Sequence, residues 1–226
     1  MLEPFRRSFL STAEFTRRAY AAVEALSPET IRSRPQNGPK ELIEEVLPLS
    51  ALLKHLEIPS RPVRCKYEKD SAPYDATLRF GGYEVKHGFI PRQLFVEVTT
   101  AVPPTAHLRR ELLNRDGFAY AGPGIVLKGS KGKGDRKLSS RAVAVDGGAN
   151  LTEAIELTVK RIRAKSSKTY PQPCLLLVNL EPERPLRVTE WSEYVAGVAP
   201  AVDRRNFPYA YVADWDQGIV LPLGGV

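Results

Sequence analysis

The chain has 226 residues, 42% hydrophobic and 26% charged, an ordinary balance for a soluble globular protein, and no apolar run nears the roughly 20 residues of a bilayer span. Cys65 and Cys174 form neither a metal-ligand spacing nor a disulfide framework, which makes a reducing cytoplasm the expected setting. The formal charge of +7 points to a polyanionic partner, and nine Lys/Arg against three acids between His107 and Arg141 carry most of it.

The start, Met1-Leu2-Glu3-Pro4, lacks the apolar core of a secretory signal, and Glu14 and Glu24 argue against an organellar transit peptide. Ser11 followed by Glu14 reads as a capping box, and Phe15, Ala19, Tyr20, Val23 and Leu26 place an amphipathic helix over 12–26. Ser27-Pro28-Glu29 looks like a second helix start. From 40 to 56, Leu42, Val46, Leu49, Leu53 and Leu56 form another helical stripe, with a kink or restart expected at Pro48 because proline has no N–H. Glu45 shares the side of Leu42 and Leu49, so it is the acid of this helix best able to face the interior.

Residues 61–69 alternate Val63, Cys65 and Tyr67 with charged residues, the period of a half-buried strand. Strands are also expected at 74–80 and 94–100, with a weaker one at 83–89. The stretch 101–149 is a basic insertion: a short helix at 107–114, strands at 125–127 and 142–145, and a mobile Gly/Lys loop from Lys128 to Lys137. Asn150 is expected to cap a helix over 151–166. Cys174–Leu180 is the apolar run of a strand covered on both faces. A helix at 188–197 and strands at 209–213 and 218–223 complete one α/β domain with a mixed central β-sheet flanked by helices, preceded by a helical extension over 1–38.

Two of the strands each hold one carboxylate among apolar and β-branched neighbours, Asp75 and Glu97. Burying an isolated carboxylate costs several kcal/mol, on the order of the penalty for any unpaired buried charge. A divalent cation shared by the two is the simplest compensation. Glu84-Val85-Lys86 is a rival for the second strand. A two-residue hairpin at Gly81-Gly82 would, however, offset Asp75 from Glu84 by about four residues, roughly 13 Å, too far to share an ion. Glu84 and Lys86 therefore rank behind Glu97. A phosphate-binding loop, a serine-nucleophile elbow and a zinc spacing of His55, His87 and His107 are all absent from the sequence.

Pro73-Tyr74-Asp75, then Val96-Glu97-Val98-Thr99, then a helix leading into Cys174–Leu180, resembles the PD-(D/E)xK nuclease superfamily with its restriction endonuclease-like fold, over about residues 40–180. The resemblance implies an α-β-β-β-α-β core and phosphodiester hydrolysis, of DNA before RNA, in the manner of an endonuclease. It implies Mg²⁺ or Mn²⁺ held by Asp75, Glu97 and the Val98 carbonyl, with Glu45 as a further carboxylate. Thr99 stands where the family has a lysine. Lys165, three residues beyond Ile162, borders the buried face of its helix and is the substitute, with Lys168 second. Period-two alternation separates Glu97 and Thr99 from Val96 and Val98. The apolar side is expected under helix 151–166, leaving Glu97 in a cleft. Lys128, Lys131, Lys133, Arg136, Lys137 and Arg141 are the expected phosphate contacts, and cutting both strands of a duplex would favour a homodimer. With Thr99 in the lysine position, the alternative is a catalytically inactive module of the same fold that binds nucleic acid or a protein.

Overall fold

In the computed structural model, which describes residues 1–68, 72–120, 122–129, 137–144, 148–182 and 185–224, local rules account for most element boundaries. A short helix α1 (Glu3–Arg6) leads to strand β1 (Leu10–Ser11). The Ser11 hydroxyl accepts the Glu14 N–H at 3.3 Å and starts α2 (Thr12–Glu24). Ser27 does the same for Thr30 at 3.1 Å and starts α3 (Pro28–Ser33).

A single turn α4 (Pro39–Glu41) passes into a π-helical turn over Leu42–Val46 and then α5 (Leu47–Leu56). The irregularity lies upstream of Pro48, and the reason is covalent. Without a Pro48 N–H, the Glu44 carbonyl four residues back has no helical donor. The Thr100 hydroxyl supplies one from the sheet at 3.1 Å. The widened turn buries Leu42, Ile43 and Val46 and leaves Glu44 and Glu45 half-buried.

Strands β2 (Val63–Tyr67) and β3 (Ala76–Phe80) follow. The chain then departs from the expected hairpin, and residues 83–89 are not a strand. Gly82 adopts φ +89°, where a Cβ would stand 1.8 Å from the Ser60 carbonyl oxygen, and the chain enters the helical turn α6 (Tyr83–Lys86). Glu84 is thereby turned to Arg61, at 3.1 Å, away from Asp75. Strand β4 (Gln93–Ala101) then pairs with β3, antiparallel, with Ala76 opposite Val96.

Helix α7 (Ala106–Asp116) and the hairpin of β5 (Ile125–Lys128) with β6 (Lys137–Ser140) occupy the basic insertion. Of the strand expected at 142–145, residues 142–144 have no regular structure, and the true pairing lies at 137–140. Helix α8 (Ala149–Ser166) begins one residue before Asn150, so Asn150 is a buried helical residue and Gly148 takes the cap position. The wholly buried strand β7 (Cys174–Leu180), helix α9 (Glu190–Val198), β8 (Tyr209–Asp214) and β9 (Ile219–Pro222) complete the order.

The result is a mixed α/β architecture. Seven strands run in the order β1-β2-β3-β4-β7-β8-β9; β4, β7 and β8 are parallel and the other pairings antiparallel. Helices cover both faces. On one, Val96, Val98, Leu175 and Leu177 pack with residues of α2 and α5; on the other, Phe95, Leu176 and Val178 pack with α8 and α9. This reverses the expected placement of β4. Its valines lie under α5, and Glu97 faces α8. Among the described residues, no helix is long and apolar enough to cross a membrane.

Candidate active site

The site is built where β3 begins, beside a β4 that runs on past it. The Asp75 N–H donates to the Val96 carbonyl at 2.9 Å, closing the last rung of the ladder. Among the described residues β4 has no backbone partner beyond it on this side, and the Asp75 carboxylate takes over: its Oδ2 accepts the Val98 N–H at 2.7 Å. A carboxylate thus stands where a strand would, beside Glu97. Glu97 is almost wholly buried, and the Lys165 ammonium lies 2.5 Å from its Oε1, with that of Lys168 at 3.6 Å. Lys165 reaches there because it follows Ile162 and Thr158, both fully buried, along the inward face of α8.

Glu45 arrives from the π-turn on the other side of β4. The Tyr67 hydroxyl on β2 donates to its Oε2. Burial pushes the Glu45 carboxyl up to about 7, with the Asp75 charge adding to the rise and the Tyr67 hydrogen bond opposing it. Burial likewise raises Asp75 to about 6, with Glu97 next, against the Val98 N–H and the two lysines. Two neutral groups sense the same negative field. Burial first, and then Glu97, raises the Tyr170 hydroxyl, and the same pair of causes followed by Asp75 lifts the Cys174 thiol to about 12.

Among the described residues, no three His, Cys, Asp or Glu side chains converge as a ready-made cage for a metal ion. The donor chemistry nevertheless fits a hard divalent cation. Mg²⁺ uses only one or two carboxylates and keeps several waters, and Asp75 and Glu97 are two carboxylates side by side. The Lys165 ammonium already stands in as the cation for Glu97. Asp75 and Glu97 would hold such an ion, with Glu45 beyond them.

Glu45 and Lys165 border a cleft of about 1090 Å³, together with Val98 and Thr99. Among the described residues, seven Lys/Arg and four Glu line it. Arg110 and Arg115 belong to the basic run between His107 and Arg141; Arg32, Arg34, Lys40 and Arg161 were not singled out by the sequence. Arg161 had a readable signal, since it lies four residues before Lys165 on one helix. The others converge from separate elements. The expected phosphate contacts lie elsewhere or outside what is described. Lys128 and Lys137 face each other across the β5–β6 hairpin, and the Arg141 N–H donates to the Gly124 carbonyl at 3.0 Å. Lys131, Lys133 and Arg136 lie outside the described residues. The hairpin is fastened to α7 through Leu108, Leu112, Ile125 and Leu138, and the Arg115 guanidinium donates to the Leu138 carbonyl at 3.0 Å.

Compared with known proteins, the chain matches no family model, no curated protein and no solved structure.

Proposed function

We propose that the protein is a metal-dependent nuclease that hydrolyses phosphodiester bonds, with DNA as its substrate, along the lines of the restriction endonuclease-like enzymes its sequence resembles. The observation that carries this reading is the pair Asp75 and Glu97 on neighbouring strands, with Lys165 against Glu97 and the border of a basic cleft beside them. A bound Mg²⁺ or Mn²⁺ would supply a Lewis acid for a phosphoryl oxygen and lower the pKa of a coordinated water.

The chain's own groups have distinct tasks in this reading. Lys165 Nζ brings to the site the positive charge that Thr99 does not, and stabilises negative charge developing on the phosphate. Glu45, with its carboxyl near 7 and steadied by Tyr67, is matched to accept a proton at neutral pH. Arg161 and Lys40, on the cleft wall, hold flanking phosphates.

The test is incubation with supercoiled plasmid, linear duplex and heat-denatured linear DNA, with Mg²⁺, Mn²⁺ or EDTA. Metal-dependent cleavage of at least one form is expected, and it is lost in Asp75→Asn and Glu97→Gln. Absence of cleavage on all three, or undiminished activity in both variants, overturns the reading. A second reading, a non-catalytic nucleic-acid-binding module, is favoured by the Lys165–Glu97 ion pair, which already neutralises one carboxylate without a metal. That reading expects no thermal stabilisation by Mn²⁺.

A further inference from the structure

The face of the sheet that carries Glu97 extends past α8 across the neighbouring strands. Along β4, Gln93, Phe95, Glu97 and Thr99 point to one side, since Val96 and Val98 between them pack under α5. Register carries that side onward: Gln93 lies opposite Arg79, Arg79 opposite Arg64, and Arg64 opposite Ser11. Val63, Cys65, Leu78 and Phe80, which alternate with these arginines, belong to the core on the α5 side. Arg64, Arg79, Gln93 and the adjacent Arg92 are all exposed, so this end of the face is open to solvent.

Like charges directly opposite each other across a ladder repel. Among the described residues, however, no carboxylate pairs with Arg64, Arg79 or Arg92. Arg79 is instead held in place by neutral groups: its guanidinium carbon lies 3.8 Å from the centroid of the Phe9 ring, and its Nε 3.5 Å from the Gln93 Oε1. Arg79, Arg92 and Gln93 line an open depression of about 330 Å³. Glu68, further along the same face, is already engaged by the Lys66 ammonium at 2.9 Å and the Thr77 hydroxyl at 2.7 Å. The rings of the face are engaged too, Phe9 by Arg79 and Phe95 by Tyr74, whose ring centroid is 4.4 Å away. A surface that offers guanidiniums but no free ring suits the phosphates of a nucleic acid rather than its bases, and a duplex carries its phosphates outermost.

We propose that this open face is a second phosphate-binding surface, on which Arg64, Arg79 and Arg92 hold the backbone of duplex DNA. Gln93 precedes Glu97 by four residues, about 13 Å at the rise of a strand. That span equals roughly four nucleotide steps at about 3.4 Å each. On the other side of Glu97, Thr99 lines the basic cleft. The carboxylates therefore stand between two basic surfaces joined by one strand, and a duplex laid along β4 is held on both sides of the bond to be cut. The proposal rests on the nuclease reading for the cutting alone; the binding stands without it.

The test measures binding of a fluorescent blunt duplex by anisotropy in EDTA over a range of salt, and its cleavage in Mn²⁺. The Arg64→Gln/Arg79→Gln/Arg92→Gln variant is expected to bind about tenfold or more weakly, with a salt slope shallower by about 2–3, as three lost phosphate contacts at about 0.9 each require. Arg17→Gln/Arg18→Gln/Lys54→Gln removes the same charge from α2 and α5, over the opposite face, and is expected to leave most of the affinity in place. Arg64→Gln alone relieves one of two opposed charges; it is expected to melt no lower than the wild type and to show a smaller loss of the same kind, which keeps the test open should the triple variant unfold. Equal losses in the two triple variants, an unchanged salt slope, or no duplex binding by the wild type overturns the proposal. The two readings fail separately. Duplex bound through the three arginines but never cut removes the nuclease reading and upholds the surface. Duplex cut by the wild type and bound and cut equally well by the arginine variant removes the surface and upholds the nuclease reading.

Discussion

On one side of the π-turn, Arg34 and Arg110 face Glu44 and Glu181; on the other, Lys165 and Lys168 face Glu45, Asp75 and Glu97. Adjacent residues, Glu44 and Glu45, thus belong to different ionic clusters. Among the described residues, the first is matched in charge, and the Asn179 amide adds a hydrogen bond to Glu181 at 3.1 Å. Among the same residues, the second has three carboxylates for two ammoniums, and one of these, Lys168, keeps 57% of its side chain exposed. Low local dielectric strengthens both attraction and repulsion. A matched set leaves the solvent as a near-neutral unit and ties α7, the π-turn and the end of β7 together. A mismatched set keeps an unneutralised field, which adds to the larger effect of burial in raising the carboxyls of Glu45 and Asp75. Excess of one sign leaves room for the cation of the proposed function; balance marks a joint.

The largest effect that tests this contrast is catalytic. Asp75→Asn keeps an acceptor for the Val98 N–H but removes a charge, and Glu97→Gln does the same opposite Lys165. Each is expected to reduce Mn²⁺-dependent DNA cleavage by more than the roughly 10–100-fold typical of residues that merely support a metal ligand. Thermal stabilisation by Mn²⁺ is expected to disappear with it. Gel cleavage and melting curves on the same preparations check both, and a variant that keeps its metal response would dissolve the distinction between the clusters.

Removing one cation from each cluster separates them by stability. Arg34→Met leaves Glu44 and Glu181 with Arg110 alone. Fully buried pairs cost about 3–5 kcal/mol when broken, and the side chains here are 14%, 16% and 19% exposed for Arg34, Glu44 and Glu181, so solvent screening reduces this to roughly 2–3 kcal/mol. Mn²⁺ is expected to restore none of it. Lys165→Met also destabilises, but there the carboxylates are free to take a divalent cation, and Mn²⁺ restores the loss. Denaturant melts with and without Mn²⁺ give the comparison, and equal rescue of both variants would refute it.

Acidity offers a third and smaller separation. Glu45 and Asp75 are raised from ordinary values of 4.5 and 3.8 to about 7 and about 6. Between those limits the folded chain binds more protons than the unfolded one, so stability contributed by the protonated forms is present at low pH and is lost as pH rises through about 6–7. In EDTA the melting temperature is expected to fall by a few degrees across that window. Glu45→Gln flattens the slope, and Mn²⁺ opposes it by favouring the ionised forms. A slope unchanged in Glu45→Gln would mean that the carboxyl sheds its proton elsewhere.

These contrasts also show what the residues alone could convey. β7 was legible because seven consecutive buried residues have only one economical home, a strand with both faces covered. Lys165 was legible as a neighbour of the buried stripe because helical spacing from Ile162 is a local rule. The side of β4 that meets α8 was not: period two separates Glu97 from Val96 and Val98 but does not say which set a distant helix will cover. The turn at Gly82 and the helical position of Asn150 depended on contacts that no short window contains. The cleft was hidden for a stronger reason. Arg32, Arg110 and Arg161 are separated by dozens of residues and become one surface only when α3, α7 and α8 are assembled.

The smallest expected effect lies at the junction of the two clusters. Pro48 leaves the Glu44 carbonyl without a helical donor, and the Thr100 hydroxyl fills that place at 3.1 Å. Thr100→Val keeps the shape and removes the donor, for a cost of about 1 kcal/mol, the usual net worth of one such hydrogen bond. Pro48→Ala supplies an N–H to the helix and makes the hydroxyl redundant. The double variant is therefore expected to recover the stability lost by Thr100→Val, a coupling measurable by a double-mutant cycle. Function is expected to respond differently. A regular helix in place of the π-turn rotates Glu45 away from Tyr67 and Asp75, so the double variant stays stable but its pH–rate profile loses the limb near 7. Recovery of both stability and that limb would show that the widened turn is incidental to where Glu45 stands.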